Sequence, residues 1–275
     1  MLTRRAFLHL SLGALPAALA ASSPPPAAGR KVYRIGAILP GASPPGEVLR
    51  QGALLAADEG RRTAELIGSR FELLLAAADE PAGAVAAARG QIRDGVLALI
   101  GGWDAATRKA LGALAAESRR VFLVLGPQEL GEAPAATTFS VASGPGLRRR
   151  ALQRTAGGPG VRCVDWDPGL ERFGAAQLNQ RFEARYHRPM AAPAWTAWMA
   201  VKIAAELTLR NAAARPEDLA GRLAGMRFDG HKGSALSFDP GRHLIQPVYV
   251  VGRKPGSRTD EVLAEVSPED VGGEE

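Results

Sequence analysis

Asp165 and Asp167 flank Trp166, and they are the nearest thing in this chain to a paired-carboxylate site. On a strand their side chains would share one face, an arrangement that can do acid/base work. The plainer reading of the same residues is a loop or hinge contact. Cys163 is the only cysteine, so no internal disulfide and no thiolate metal knuckle can form. The histidines after the first thirty residues are His187, His231 and His243, none at metal-ligand spacing from another, and they read as turn or surface positions. Gly225 to Gly230 has the glycine spacing of a phosphate loop, but His231 stands where lysine is needed, and Phe228 and Asp229 crowd the interior. Gly157-Gly158-Pro159-Gly160 precedes a strand instead of following one, the wrong order for a dinucleotide fingerprint. Neither a Gly-x-Ser-x-Gly elbow nor a His-Glu-x-x-His helix occurs. The sequence therefore argues against an enzyme and calls for no cofactor.

The elements that carry these residues are those of an α/β protein. Val32–Leu39 is a β-rich run closed by Pro40-Gly41, and Pro44-Pro45-Gly46 leads into a helix over Glu47–Leu66. A strand over Phe71–Ala76, a helix from Pro81 to Arg93, and the wholly apolar strand Val96–Ile100 follow. That strand ends in Gly101-Gly102, and Asp104 is placed to cap a helix running to Ser118. Val121–Leu125 is a second buried strand, closed by Gly126-Pro127. Four strands alternating with three helices predict a doubly wound parallel sheet. After Phe139-Ser140-Val141 the pattern changes to one short strand, Val161–Val164, and two consecutive helices. Leu170, Gly174, Leu178, Phe182 and Tyr186 repeat every four residues in the first; Trp195, Met199, Ile203 and Leu207 do so in the second. Both stripes read as core, the second expected to pack on the first and on a closing hairpin, with the first lobe supplying the rest. A short helix opens at Pro216, and Ser234–Phe238, the turn Asp239-Pro240-Gly241 and Leu244–Val251 form the hairpin, with Pro247 suggesting an edge strand.

Composition sets the setting. Thr3-Arg4-Arg5-Ala6-Phe7-Leu8 and the apolar run to Ala20 have the form of an export signal of the twin-arginine kind, cleaved near Ala20, and the run is too short to span a bilayer. The expected location is the periplasm. Residues 21–30 read as a disordered leader, 31–141 as a first α/β lobe, 142–254 as a second lobe with the hairpin, and 255–275 as a flexible tail. The formal charge of +6 is spread along the chain, and the basic run Arg148-Arg149-Arg150 lacks interleaved aromatics, so no nucleic-acid partner is expected.

Two stretches resemble a known family. Gln51–Glu59 together with Ala98-Leu99-Ile100-Gly101-Gly102 is similar to the first lobe of ABC-transporter substrate-binding proteins of the branched-chain amino-acid type, a type I periplasmic binding fold. Phe228-Asp229-Gly230-x-x-Gly233, Phe238-Asp239-Pro240-Gly241 and Gln246–Val250 resemble that family's closing hairpin. Trp166-Asp167-Pro168, the segment Gly174–Phe182 and Arg188-Pro189-Met190 resemble the subgroup associated with pyrroloquinoline-quinone-dependent alcohol oxidation.

The resemblance implies two lobes that close over a small ligand and dock, as a monomer, on an inner-membrane ABC permease. It places ligand contacts on the loops at the carboxyl ends of the strands: Gly41–Gly46, Gly101–Thr107 and Gly126–Leu130. In the family, hydroxyl-bearing residues on the last two hold the ligand's carboxylate and ammonium. Here those loops carry Trp103-Asp104-Ala105-Ala106-Thr107 and Gly126-Pro127-Gln128, so only Thr107 keeps a hydroxyl. The expected site is Trp103, Asp104, Ala105, Thr107 and Gln128, with Trp166 across the cleft. Such a site suits an uncharged or weakly polar solute better than an α-amino acid. The second lobe is short against the family pattern, which leaves two readings: a reduced binding protein with a shallow site, or a degenerate homologue acting as a periplasmic interaction or sensor protein.

Overall fold

The computed structural model describes residues 30–41, 44–127, 130–131, 134–155, 160–253 and 259–271. The export signal, nearly all of the leader, and Gln128 lie outside the described residues.

Five strands alternate with helices through the first half of the chain: β1 (Val32–Leu39), α1 (Pro44–Leu66), β2 (Arg70–Ala77), α2 (Pro81–Arg93), β3 (Ala98–Gly101), α3 (Ala105–Ser118), β4 (Val121–Val124) and β5 (Thr138–Ser140). They form one parallel sheet in the order β2-β1-β3-β4-β5. β3 and β4 are buried along their whole length, as central strands covered on both faces must be. Alternation along the strands sorts side chains to two layers. Ile38, Leu99, Phe122 and Val124 pack in one cluster with Ala84 and Ala88 of α2 and Leu111 and Leu114 of α3. Ile35, Ala37, Ile100, Val121 and Leu123 belong to a larger cluster on the other face, with Leu49, Ala53 and Ala56 of α1. Proline opens α2 at the position where its missing N–H costs nothing.

Beyond β5 come α4 (Pro145–Arg154), β6 (Arg162–Val164), α5 (Ala175–Tyr186), α6 (Ala192–Arg210), a 3-10 turn (Pro216–Asp218), α7 (Leu219–Ala224), β7 (Phe228–Asp229), β8 (Ala235–Phe238), β9 (Leu244–Ile245), β10 (Val248–Arg253) and β11 (Asp260–Val266), then a second 3-10 turn (Pro268–Val271). This half does not stay together. α4 lies on an antiparallel sheet of order β11-β10-β6, sharing a small core of Ala151, Cys163, Val248, Val250 and Val266. α5, α6, α7 and the sheet β7-β8-β9 pack instead into the large cluster of the first half.

α6 decides that arrangement. Trp195, Met199, Ile203 and Leu207 are fully buried, as their spacing predicts, but so are Ala197, Ala200, Val201 and Ala204 on the other flanks. A helix apolar all round needs partners all round. Its principal partner is α1, not the α5 helix and hairpin the stripe suggested. The two helices meet at Gly52, where an added Cβ would lie 1.9 Å from the carbonyl oxygen of Ala194. Only a residue without a side chain permits that approach.

Two further expectations are corrected. The strand predicted over Leu244–Val251 is broken: Leu244–Ile245 pairs with β8, while Val248–Arg253 joins the other sheet between β6 and β11. Pro247, without an N–H to offer a ladder, stands at the break. Residues Asp260–Val266, read from sequence as part of a tail, form β11 against β10. Its acidic composition hides a Val262, Ala264, Val266 alternation that only the long-range pairing makes visible.

Candidate functional site

At the end of β3 the chain must turn sharply into α3. Gly102 sits at φ +69°, where a Cβ would meet Arg108 Cα at 2.9 Å, so the turn needs glycine. Asp104 caps the helix as its sequence position predicts: the Thr107 N–H donates to Asp104 Oδ1 at 2.9 Å. Burial opposes the ionised form of Asp104, but hydrogen bonds from Thr107 and from the local backbone outweigh it and hold the carboxyl below its ordinary range. Trp103 is half-buried and packs against the large core; Asp104 and Ala105 are exposed; Thr107 is buried at 5%. These four residues do come together at one helix N-terminus.

Trp166 is placed differently. It is 1% exposed, stacks on Trp195 with ring centroids 5.7 Å apart and planes at 9°, and donates its Nε1–H to Asn179 Oδ1 at 2.8 Å. One ring face and the only donor are spent inside the protein, so in this conformation Trp166 is a core residue and not a ligand platform. Its neighbours Asp165 and Asp167 do not form a pair. Asp165 is 1% exposed, while Asp167 closes a turn by accepting from the Gly169 N–H at 2.8 Å.

A second cluster lies where the chain passes between the parallel sheet and the sheet β11-β10-β6. The chain leaves β5 of the parallel sheet through Val141–Gly144, and at Gln246-Pro247 it enters β10 from β9 of the sheet β7-β8-β9. Gln246, 1% exposed, donates from Nε2 to the Val141 carbonyl at 2.8 Å and so ties these two passages to each other. Lys232 Nζ donates to Gln246 Oε1 at 2.6 Å and to the Pro247 carbonyl at 3.0 Å. It also lies 4.0 Å from the Trp195 ring centroid and 5.3 Å from that of Tyr249. Burial pushes the Lys232 ammonium down to about 7, with Asp165 the strongest charge opposing that shift. Asp165 in turn receives the Ser143 N–H at 3.3 Å and Arg148 Nη2 at 2.6 Å, while Arg148 Nε donates to Ser143 Oγ at 2.8 Å. Asp165 thus makes a buried contact between loops and forms no carboxylate pair with Asp167. Lys232 was missed, because a lysine between His231 and Gly233 gives no local sign of burial. Among the described residues no group of three or more His, Cys, Asp or Glu side chains could hold a metal ion.

No family model matches the chain, and no curated protein does. Solved structures do. A leucine-binding protein of Thermotoga maritima aligns over 86% of this chain and 99% of its own, at 15% identity and a TM-score of 0.71. The chain has the type I periplasmic binding fold. A branched-chain amino-acid transporter substrate-binding protein of Streptococcus pneumoniae, in complex with isoleucine, aligns over 86% of this chain and 100% of its own, at 13% identity and a TM-score of 0.70. A solute-binding protein of an ABC transporter from Rhodopseudomonas palustris, in complex with 3,4-dihydroxybenzoic acid, aligns over 86% of this chain and 97% of its own, at 11% identity and 0.72. At these identities the likeness speaks for the fold of the periplasmic binding protein, and the sites must be argued from the residues present.

Proposed function

We propose that this protein is the solute-capturing component of an ABC transporter, exported to the periplasm by its twin-arginine signal and delivering a small organic molecule to a membrane permease. The observation that carries the reading is the parallel five-stranded sheet joined through buried polar passages to a second sheet, aligned with solute-binding proteins over most of the chain. No helix among the described residues is long and apolar enough to cross a membrane. What supports a reduced second lobe with a shallow site is that α4 shares only a small core with the strands β6, β10 and β11. The Trp166-Asp167-Pro168 and Arg188-Pro189-Met190 segments favour the subgroup associated with pyrroloquinoline-quinone-dependent alcohol oxidation.

The ligand-binding end is the β3–α3 turn, with Trp103 as an aromatic wall, Asp104 and Ala105 at the rim, and Gln128 from the next loop. Thr107, the one hydroxyl kept there, is buried, and an ammonium or carboxylate left unpaired costs several kcal/mol. The ligand is accordingly uncharged or weakly polar. A thermal-shift screen of the purified protein tests this, because a ligand at about a hundred times its Kd adds roughly 2.7 kcal/mol of stability. Neutral aromatic and aliphatic alcohols and amides are expected to raise the melting temperature, and leucine, isoleucine and valine to leave it unchanged. Micromolar calorimetric binding of any of the three amino acids would overturn the ligand class. Silence across the whole panel would favour an interaction protein without transport. For export, replacing Arg4 and Arg5 by lysine is expected to trap precursor in the cytoplasm; undiminished periplasmic protein would point to the general secretory route.

A further inference from the structure

A cavity of about 440 Å³ opens between the segment leading into α5 and the strands β10 and β11, away from the β3–α3 turn. Its size is that of a small-molecule site, for which about 300–1,000 Å³ is usual. The wall is built by Phe173, Tyr249, Leu263 and His231, and the charges by Glu171, Arg172 and Glu265.

Two features mark it as more than a surface dent. Phe173 holds φ +57°, which a bulky residue rarely adopts, and this seats its ring over Gly233 while leaving the side chain 57% exposed at the mouth. Tyr249 is only 3% exposed, yet it is one of the residues that line the cavity. Burial, with the Glu265 carboxylate next in strength, raises its pKa, so it stays protonated and able both to donate and to accept.

Arg172 says what kind of group fits. Its guanidinium lies 5.5 Å from the Phe173 ring centroid and 3.5 Å from Glu265 Oε2, although its side chain is 76% exposed. The protein's own cation thus occupies an aromatic face and a carboxylate, the pair of groups that holds an organic cation. Without Arg172 the charged groups on the wall are two carboxylates. We infer that this cavity is a binding site for a small organic cation, an ammonium or guanidinium on a short apolar stem. The cationic head takes the place of Arg172 between Phe173 and Glu265 and donates to the Tyr249 hydroxyl, and the stem lies along Leu263. The inference stands on this cavity alone and does not need the transport reading.

Calorimetry on the purified protein with agmatine and n-butylamine, and with benzoate as the anionic control, tests it. Arg172 and Glu265 are partly exposed, so Arg172→Ala and Glu265→Gln are expected to fold, which their melting temperatures without ligand check. Agmatine is expected to bind, several-fold more tightly in Arg172→Ala because the internal competitor is gone, and at least about tenfold more weakly in Glu265→Gln. Tyr249→Phe, which keeps the packing and removes only the hydroxyl, is expected to weaken it a few-fold. If benzoate binds and Arg172→Ala abolishes it, the cavity is an anion site and the inference is wrong. It is equally wrong if agmatine binds the wild type and Glu265→Gln alike, or binds neither the wild type nor Arg172→Ala.

Discussion

Lys232 should make this protein more stable as the solution becomes more alkaline, across a window where most proteins gain nothing. The ammonium is fully enclosed by Trp195, Tyr249, Gln246 and Pro247, and burial lowers its pKa from 10.5 to about 7. The groups facing it are Asp165 and Glu265, which favour its charge, Arg148, which opposes it, and Cys163 beside Asp165. Between those two pKa values the unfolded chain carries a proton that the folded chain has released, so stability rises with pH there and is lost as pH falls towards 7. One excess proton in the unfolded state is worth about 1.4 kcal/mol per pH unit, and integrating from pH 7 to 9 with the onset of titration included gives about 2 kcal/mol. The assay is urea unfolding of wild type and Lys232→Met at half-unit steps from pH 6 to 9. Tyr249 and Cys163, whose pKa values burial raises, act in the opposite sense at higher pH and are common to both proteins. The difference between the two curves should therefore be largest at pH 6, shrink through pH 9, and keep the same m-value. Parallel profiles for the two proteins would refute the argument, since they would mean that Lys232 keeps its charge in an environment that solvates it.

Three other outcomes follow from single contacts. Trp195→Ala removes a fully buried indole, its stack on Trp166 and its bond to the Gly230 carbonyl at 3.2 Å, and should cost about 4 kcal/mol by denaturant unfolding. Gly52→Ala must push α1 off the Ala194 carbonyl and should cost about 2–3 kcal/mol, whereas the same change at the open, half-buried helix position Gly90 should be neutral or stabilising. Asp165→Ala leaves the Arg148 guanidinium and the Ser143 N–H without their acceptor and should cost about 3 kcal/mol, with Asp167→Ala well below that.

The first half of the chain was readable as a sequence because its information is local. Apolar runs of strand length, proline at a helix start, and the glycine pair before a capping aspartate each restrict the backbone through nearest neighbours, and the parallel sheet follows from their alternation. The α6 stripe was legible as core for the same reason, as were Leu178 and Phe182 of α5, whereas Leu170 and Gly174 of the predicted stripe precede that helix and are only partly buried. Which surface covers these helices was not legible, since a 3.6-residue period marks a buried face without naming its partner; the choice of α1 for α6 rests on Gly52 and Ala194, 142 positions apart. Long-range pairing likewise made a strand of Asp260–Val266 and divided Leu244–Val251 at Pro247 between two sheets. At the sites, the cap at Asp104 could be read from spacing, whereas the burial of Lys232 and the withdrawal of Trp166 into the core could not. A charge's energy and a ring's accessibility are set by what surrounds them in three dimensions, and in this protein those surroundings come from segments far apart in the chain.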